Sequence, residues 1–354
     1  MRFLHTADWH LGRVLGNHSL LDDQAHVLRQ FIELAVDTRP DAIVIAGDLY
    51  DRAFPPADAV SLLDDTFHEL ASRCGVPIIA IGGNHDSQQR LDFGARLLRH
   101  QGLHLFGAVE STGSVTVADT TFVAIPFAEP ASVRSAFPDY LGQDHHSALT
   151  FLLDRFRPAQ GPAVAIAHAF VAGGVESESE RPLSVGTAGQ VGVNAFTGYT
   201  YGALGHLHQP QTLGIPRYSG SLLKYSTSEA HQKKSVTLVD LGHGVEEFPL
   251  SPRHDLRCVE ASFDQLLLAP RSDDYLYFTL TDSGLIPDVA RRLQDRYPHF
   301  LGLAPRVLDA SGDDALIPAA TPQAMFTSFW QYVQNEAPSA ENEATIARLL
   351  EQQP

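Results

Sequence analysis

Short apolar runs, each closed by a polar cluster, recur along the first part of the chain. Arg2-Phe-Leu-His-Thr-Ala7 alternates and ends in Asp8-Trp9-His10. Asp41-Ala-Ile-Val-Ile-Ala46 ends in Gly47-Asp48-Leu49-Tyr50-Asp51, and Pro77-Ile-Ile-Ala-Ile81 in Gly82-Gly83-Asn84-His85-Asp86. Apolar, β-branched runs of this length predict strands buried on both faces. Between them, Ser19 to Thr38 has helical spacing at Leu20, Val27, Leu28, Phe31, Leu34 and Ala35, and Ala57 to Ser72 follows the helix-start prolines Pro55-Pro56. Strand, helix, strand, helix, strand predicts a parallel α/β layer, in which ligands sit beyond the carboxyl ends of the strands. Glycines 82 and 83 let the backbone turn and approach a ligand closely.

The pattern then changes. Gln88 to His100 predicts a further helix, Ser114 to Ala118 and Thr121 to Ile125 an antiparallel pair, and His145 to Phe156 another helix. Gly161 to His168 is an apolar strand ending in histidine, and Tyr199 to Leu204 leads into Gly205-His206-Leu207-His208. The stretch from Gly173 to Gly198 has no periodicity, and a loop that long is functional or mobile. Strands at Ile215 to Ser219 and Lys234 to Asp240 close a first domain over residues 1–255. Residues 256–310 predict a small α/β cap with strands at Leu256 to Ala261, Tyr275 to Thr281 and Leu303 to Asp309 and a helix from Pro287 to Tyr297. Residues 311–322 predict a linker, and 323–354 two helices. Phe326, Phe329, Trp330 and Val333 draw an aromatic stripe on the first of these, and Ile346, Leu349 and Leu350 a second stripe.

Composition narrows the function classes. A net charge of −17 over 354 residues argues against a free-standing, strongly basic nucleic-acid binder, so a polyanionic substrate would need metal ions or a partner's charge. No apolar run approaches a membrane span, so no membrane association is expected. The polar cluster beginning at Asp8 leaves no room for a cleavable signal peptide, and two distant cysteines offer neither a disulfide framework nor a thiolate metal motif. The expected compartment is a reducing cytoplasm.

Asp8, His10, Asp48, Asn84, His168, His206 and His208 are seven oxygen or nitrogen donors, all at predicted strand ends. A single histidine is more often a satisfied or exposed side chain than a ligand, but agreement among five clusters points to two divalent cations. Donors without sulfur suit Mn²⁺, Fe²⁺ or Zn²⁺, the oxygens favouring Mn²⁺ or Mg²⁺. Such a site clamps a phosphoryl group and activates water, which is phosphate-ester hydrolysis. The donor set alone would serve a phosphoprotein phosphatase or a cyclic-nucleotide phosphodiesterase equally well. A non-catalytic scaffold on the same fold is the rival from another class.

The series Asp8-x-His10, Gly47-Asp48-x-x-Asp51, Gly83-Asn84-His85-Asp86, His168 and Gly205-His206-x-His208 resembles the calcineurin-like metallophosphoesterases over residues 1 to 210. Trp9, Leu11-Gly12-Arg13, the stretch Glu178 to Val185 and the stretch Tyr218 to Tyr225 resemble, more narrowly, the SbcD nucleases of bacterial SbcCD complexes. Ala167 before His168 departs from the glycine common in relatives. The resemblance implies a four-layer α/β/β/α fold and two ions, with Mn²⁺ the metal expected. Asp8, His10, Asp48 and His208 would hold one ion and Asp48, Asn84, His168 and His206 the other, with Asp48 bridging. It gives His85 and Asp51 catalytic roles, His85 stabilising charge and assisting the departing oxygen while Asp51 holds its ring. It further implies double-strand exonuclease and single-strand endonuclease activity on DNA in end processing and repair. An SbcC-like coiled-coil ATPase would be gripped by the C-terminal helices, and a homodimer is an assembly to test. Arg291, Arg292 and Arg296 on the cap helix are candidate phosphate contacts, with a solvated charged face as the simpler reading.

Overall fold

Arg2–Thr6, Ala42–Ile45, Ile78–Ile81 and Leu103–Phe106 pair in parallel as the heart of a six-stranded sheet. Ser235–Asp240 and Gly244–Pro249 extend it antiparallel on the side of the first strand. A second six-stranded sheet carries Thr120–Ile125, Ala163–His168, Tyr201–Gly205 and Pro216–Tyr218 in parallel, with Gly113–Val117 and Gln211–Thr212 as antiparallel edges. The structure, a computed structural model, describes residues 1–180, 189–282 and 286–304, together with 326, 327, 330, 337–339, 342–345 and 348.

The continuous apolar runs are explained by what lies on each side of them. Phe3, Val44, Ile79, Ile81, Phe122, Val164, Ile166 and Ala203 form a core between the two sheets. Helices Leu21–Thr38 and Ala57–Cys74 cover the outer face of the first sheet, burying Val27, Leu28, Phe31, Leu63 and Leu70 against Leu4, Ile43 and Ile45. Helices Pro130–Ala136 and His145–Phe156 cover the second sheet with Val133, Leu149, Leu152 and Leu153. Helix, sheet, sheet, helix is the four-layer α/β/β/α arrangement expected. Strands in the middle of such a stack have no polar face to spare, and all four residues of Ala42–Ile45 and Ile78–Ile81 are buried.

Several elements differ from expectation. The helix predicted over 88–100 breaks into Gln88–Leu91, Ala95–Leu98 and a short 3₁₀ turn, because Gly94 takes a left-handed φ of 74°. Asp92 in that break accepts the main-chain N–H groups of Gly107 and Ala108 instead of continuing a helix. The third strand of the cap is Phe300–Leu303, upstream of the predicted 303–309, of which 305–309 lies outside the described residues. The cap's other two strands, Leu256–Ala261 and Tyr275–Leu280, lie where the pattern places strands, and the structure pairs them in parallel around a core of Phe263, Leu266, Phe278, Leu293 and Tyr297. It is fastened to the body through buried Asp23, whose carboxylate accepts from His254 Nδ1 at 3.0 Å and from the Tyr275 hydroxyl at 3.0 Å.

The three cap arginines do not form one free cationic face. Arg291 pairs with Asp288 and Asp295, Arg292 lies 4.3 Å over the Phe263 ring, and Arg296 donates to the carbonyls of Leu266 and Ala269. Two of the three therefore hold the cap's helices together.

The chain divides into compact units at Met1–Ala304 and Pro305–Pro354. The predicted linker 311–322 lies outside the described residues, as does most of the predicted helical pair. Among residues that are described, Phe326, Thr327 and Trp330 are helical, with the Phe326 and Trp330 rings 5.7 Å apart, and 342–345 are helical as well. No described helix is long and apolar enough to cross a membrane.

His5 generates a stability prediction. It is fully buried, with one ring nitrogen 3.1 Å from the Tyr201 hydroxyl and the other 3.1 Å from the Leu204 carbonyl, and burial, helped by Arg217, pushes its pKa down to about 3. The unfolded chain takes up this proton below about pH 6.5 and the folded chain does not. Its contribution is therefore whole above that pH and declines by about 1.4 kcal/mol per unit as pH falls toward the folded value. Urea unfolding at pH 7 and 4.5 should show His5→Gln losing about 2–3 kcal/mol less than the parent over that interval. Equal losses would contradict this account of His5.

Candidate metal centre

The carboxyl ends of the parallel strands of both sheets open into one buried space, and there the chain leaves ordinary backbone geometry. Asp8, His10, Asp48 and His206 have φ values of 54°, 46°, 52° and 108°, in the left-handed region that L-residues rarely adopt. Such strain persists only where surrounding bonds over-determine it. Here the two loops are zipped together: Asp8 N–H donates to the Gly47 carbonyl, His10 to Asp48, Leu11 to Leu49, and Asp51 back to Leu11. Gln24, fully buried on the first helix, ties down the same loop, donating to the carbonyls of Trp9 and His10 and accepting from Gly12 N–H. Trp9 is itself fully buried between Phe31 and Phe67, its indole N–H on Thr6.

Glycine makes the convergence possible through space more than through φ. A Cβ on Gly83 would stand 2.1 Å from Asp48 Oδ1, one on Gly47 2.4 Å from His168 Nδ1, and one on Gly205 2.0 Å from the Ala46 carbonyl oxygen. Gly82 and Gly83 do not adopt positive φ, so the close approach accounts for Gly83 and the sharp turn does not. Asp86, quoted in the sequence motif without a role, accepts three main-chain N–H groups, from Gly83, Leu49 and Tyr50, and so locks the Asn84 loop to the Asp48 loop. Its carboxyl is pushed up to about 7, by burial and by nearby Asp48.

All seven predicted donors meet in this space. Asp8, His10 and His208 bring ligand atoms within 4.8 Å of one another, as do Asp8, Asp48 and His168. His10 Nε2 and His208 Nε2 face each other at 3.2 Å. Asn84 Oδ1 is 2.9 Å from His168 Nε2 and 3.2 Å from His206 Nδ1. Asp48 Oδ2 lies 3.5 Å from His10 Nε2 and 3.5 Å from His168 Nε2, between the two groups. Asp8 accepts the His206 main-chain N–H with both oxygens.

The chemistry of this donor set fits cations. His168 Nδ1 sits 3.0 Å from the Ala46 carbonyl, an acceptor, so the proton is on Nδ1 and Nε2 presents a lone pair toward the Asn84 amide oxygen, another acceptor. Burial holds the His10, His168, His206 and His208 imidazoles below their ordinary pKa, which keeps them neutral and ready to ligate. Burial, with Asp48 beside it, pushes the Asp8 carboxyl well above the usual range, a cost that a bound cation removes. His10 Nδ1 and Asn84 Nδ2 are buried without a hydrogen-bond partner.

His85 stands at the edge of the group, its ring 4.7 Å edge-on to that of His10 and its Nδ1 2.8 Å from the main-chain carbonyl of Asp51. Asp51 reaches this ring through its backbone carbonyl. Its carboxylate goes elsewhere, accepting from Arg13 Nη1 at 2.8 Å and lying 3.7 Å from His10 Nδ1. Sequence reasoning also missed the buried Glu229 and Lys234 and the carboxylate of Glu180, all of which touch His208. No spacing signal connects residues that far apart.

The Gly83 gap yields a prediction. Gly83→Ala should force Asp48 out of place, and isothermal titration of the folded variant should find Mn²⁺ binding weakened at least about tenfold, the scale on which ligand-supporting changes act. Unchanged binding would mean that the gap serves only packing.

The chain matches the family described as Calcineurin-like phosphoesterase over residues 1–162, and that described as Type 5 capsule protein repressor C-terminal domain over 252–334. It is 34% identical over 325 residues to the SbcD subunit of nuclease SbcCD from Staphylococcus epidermidis, covering 88% of this chain and 87% of that protein. It is 36% identical over 322 residues to the protein of the same name from Staphylococcus saprophyticus, covering 87% and 86%. Among solved structures, a dimetal phosphatase from Danio rerio aligns over 71% of this chain and 99% of its own at 13% identity, with a TM-score of 0.43. Identity to the two nuclease subunits at that level along nearly the whole length, with strand ends built as described, makes this chain a member of the SbcD family of calcineurin-like phosphoesterases.

Proposed function

We propose that the chain is a DNA nuclease that hydrolyses phosphodiesters at a pair of divalent ions, working with an SbcC-like ATPase in DNA end processing and repair. The observation that carries the two-ion reading is Asp48, whose Oδ2 is equidistant, at 3.5 Å, from His10 Nε2 and His168 Nε2. On this reading Asp8, His10, Asp48 and His208 hold one ion and Asp48, Asn84, His168 and His206 the other, with Mn²⁺ the metal best suited to mixed imidazole and oxygen donors. The DNA assignment draws on the names of the curated relatives, both nuclease subunits.

Bound, the ions supply Lewis acidity toward the phosphoryl oxygens and a water acidic enough to attack at neutral pH. The protein's part falls to His85. With Nδ1–H held by the Asp51 carbonyl, its ring would turn Nε2 toward the scissile phosphate to stabilise developing charge and assist the departing oxygen. The reading extends to double-strand exonuclease and single-strand endonuclease action in the cytoplasm. A homodimer belongs to the same reading. The C-terminal helices, with the Phe326–Trp330 stripe, are the proposed grip on the coiled-coil ATPase.

The decisive assay compares Mn²⁺-dependent cleavage of duplex ends with hydrolysis of nitrophenyl phosphate, and attack on the monoester alone would refute the nuclease reading. His85→Gln should keep both ions by metal analysis yet lose about a hundredfold or more in turnover, whereas Asp48→Ala should lose the ions. Equal metal loss in the two variants would overturn this division of roles. Removing residues 322–354 should abolish co-purification with the ATPase and leave metal content and cleavage of short DNA intact. Aggregation of the shortened chain would assign those residues to its own core.

A further inference from the structure

His208 is gripped by three charged side chains from two distant segments. Its main-chain N–H donates to Glu180 Oε1 at 2.6 Å, and its carbonyl accepts from Lys234 Nζ at 2.9 Å. Its Nδ1 lies 2.8 Å from Ser179 Oγ and 3.2 Å from Glu229 Oε1. Glu229 is fully buried, and Lys234 Nζ holds its second oxygen at 2.6 Å. The Ser179 hydroxyl spends its proton on Glu229 Oε1. The groups facing Nδ1 are therefore a carboxylate and a hydroxyl oxygen, both acceptors, so the ring proton belongs on Nδ1 and the Nε2 lone pair is the one that meets His10 Nε2.

We propose that Glu229, supported by Lys234, is the positioning residue that fixes the tautomer and orientation of His208 for metal binding. A carboxylate behind a ligating imidazole orients the ring and raises its basicity, and losing such a partner typically costs about 10–100-fold in metal affinity. Lys234 pairs with that buried carboxylate and ties the His208 backbone at the same time. The inference rests on the reading of His208 as a ligand to one ion.

The test uses the full chain and two variants, His208→Ala and the paired replacement Glu229→Leu with Lys234→Met, which removes both charges together and avoids an unpaired buried ion. Free Mn²⁺ is followed by electron paramagnetic resonance during titration, and the His208 tautomer by ¹⁵N resonances of the apo protein. The paired variant should keep one ion at parental affinity, bind the other about 10–100-fold more weakly, and lose the single Nδ1–H tautomer. A folded paired variant that binds both ions as the parent does, while His208→Ala loses one, overturns the positioning role alone. If His208→Ala itself keeps both ions, the ligand reading falls and this inference with it.

Discussion

Two buried carboxylates, Asp8 and Asp48, stand among imidazoles that burial keeps neutral. Acceptors facing acceptors are unstable in a low-dielectric interior unless a cation stands among them. The Asn84 oxygen toward the His168 lone pair is an arrangement of that kind. Everything else in the catalytic body serves to bring these groups within reach of one another and hold them there.

The fold does so by abutting the ends of two parallel sheets. Backbone in the left-handed region at four donor residues costs on the order of 1–3 kcal/mol each, and the inter-loop ladder from Asp8 to Asp51, Gln24 and the three bonds to Asp86 offset it. Gly47, Gly83 and Gly205 leave the room that any side chain would fill. The cap rests on the same body through Asp23, the residue before Gln24, so the helix that steadies the Asp8 loop also carries the cap.

Much of this was legible in the sequence because parallel strands buried on both faces must be written as unbroken apolar runs, and the residues just after such a run lie at a strand end. Asp8, Asp48, Asn84, His168 and the His206/His208 pair were found that way. Edge strands such as Gly244–Pro249, whose residues are mostly exposed, carry no such signature and were missed. In the 88–100 segment Gly94 and Asp92 give the backbone to a turn, so local turn chemistry overrode the helical pattern. Beside His85 stands the Asp51 carbonyl while its carboxylate turns to Arg13, a distinction that spacing in the sequence does not carry. The support of His208 by Glu180, Glu229 and Lys234 arises only from tertiary packing.

The central claim is that Asp48 is shared by two ions. Crystals soaked in Mn²⁺ and measured at the manganese absorption edge would test it most directly. The account predicts two anomalous peaks about 3.5–4 Å apart, the spacing of two-metal hydrolytic sites, with Asp48 between them. A single peak, or two with Asp48 bound to only one, would contradict it.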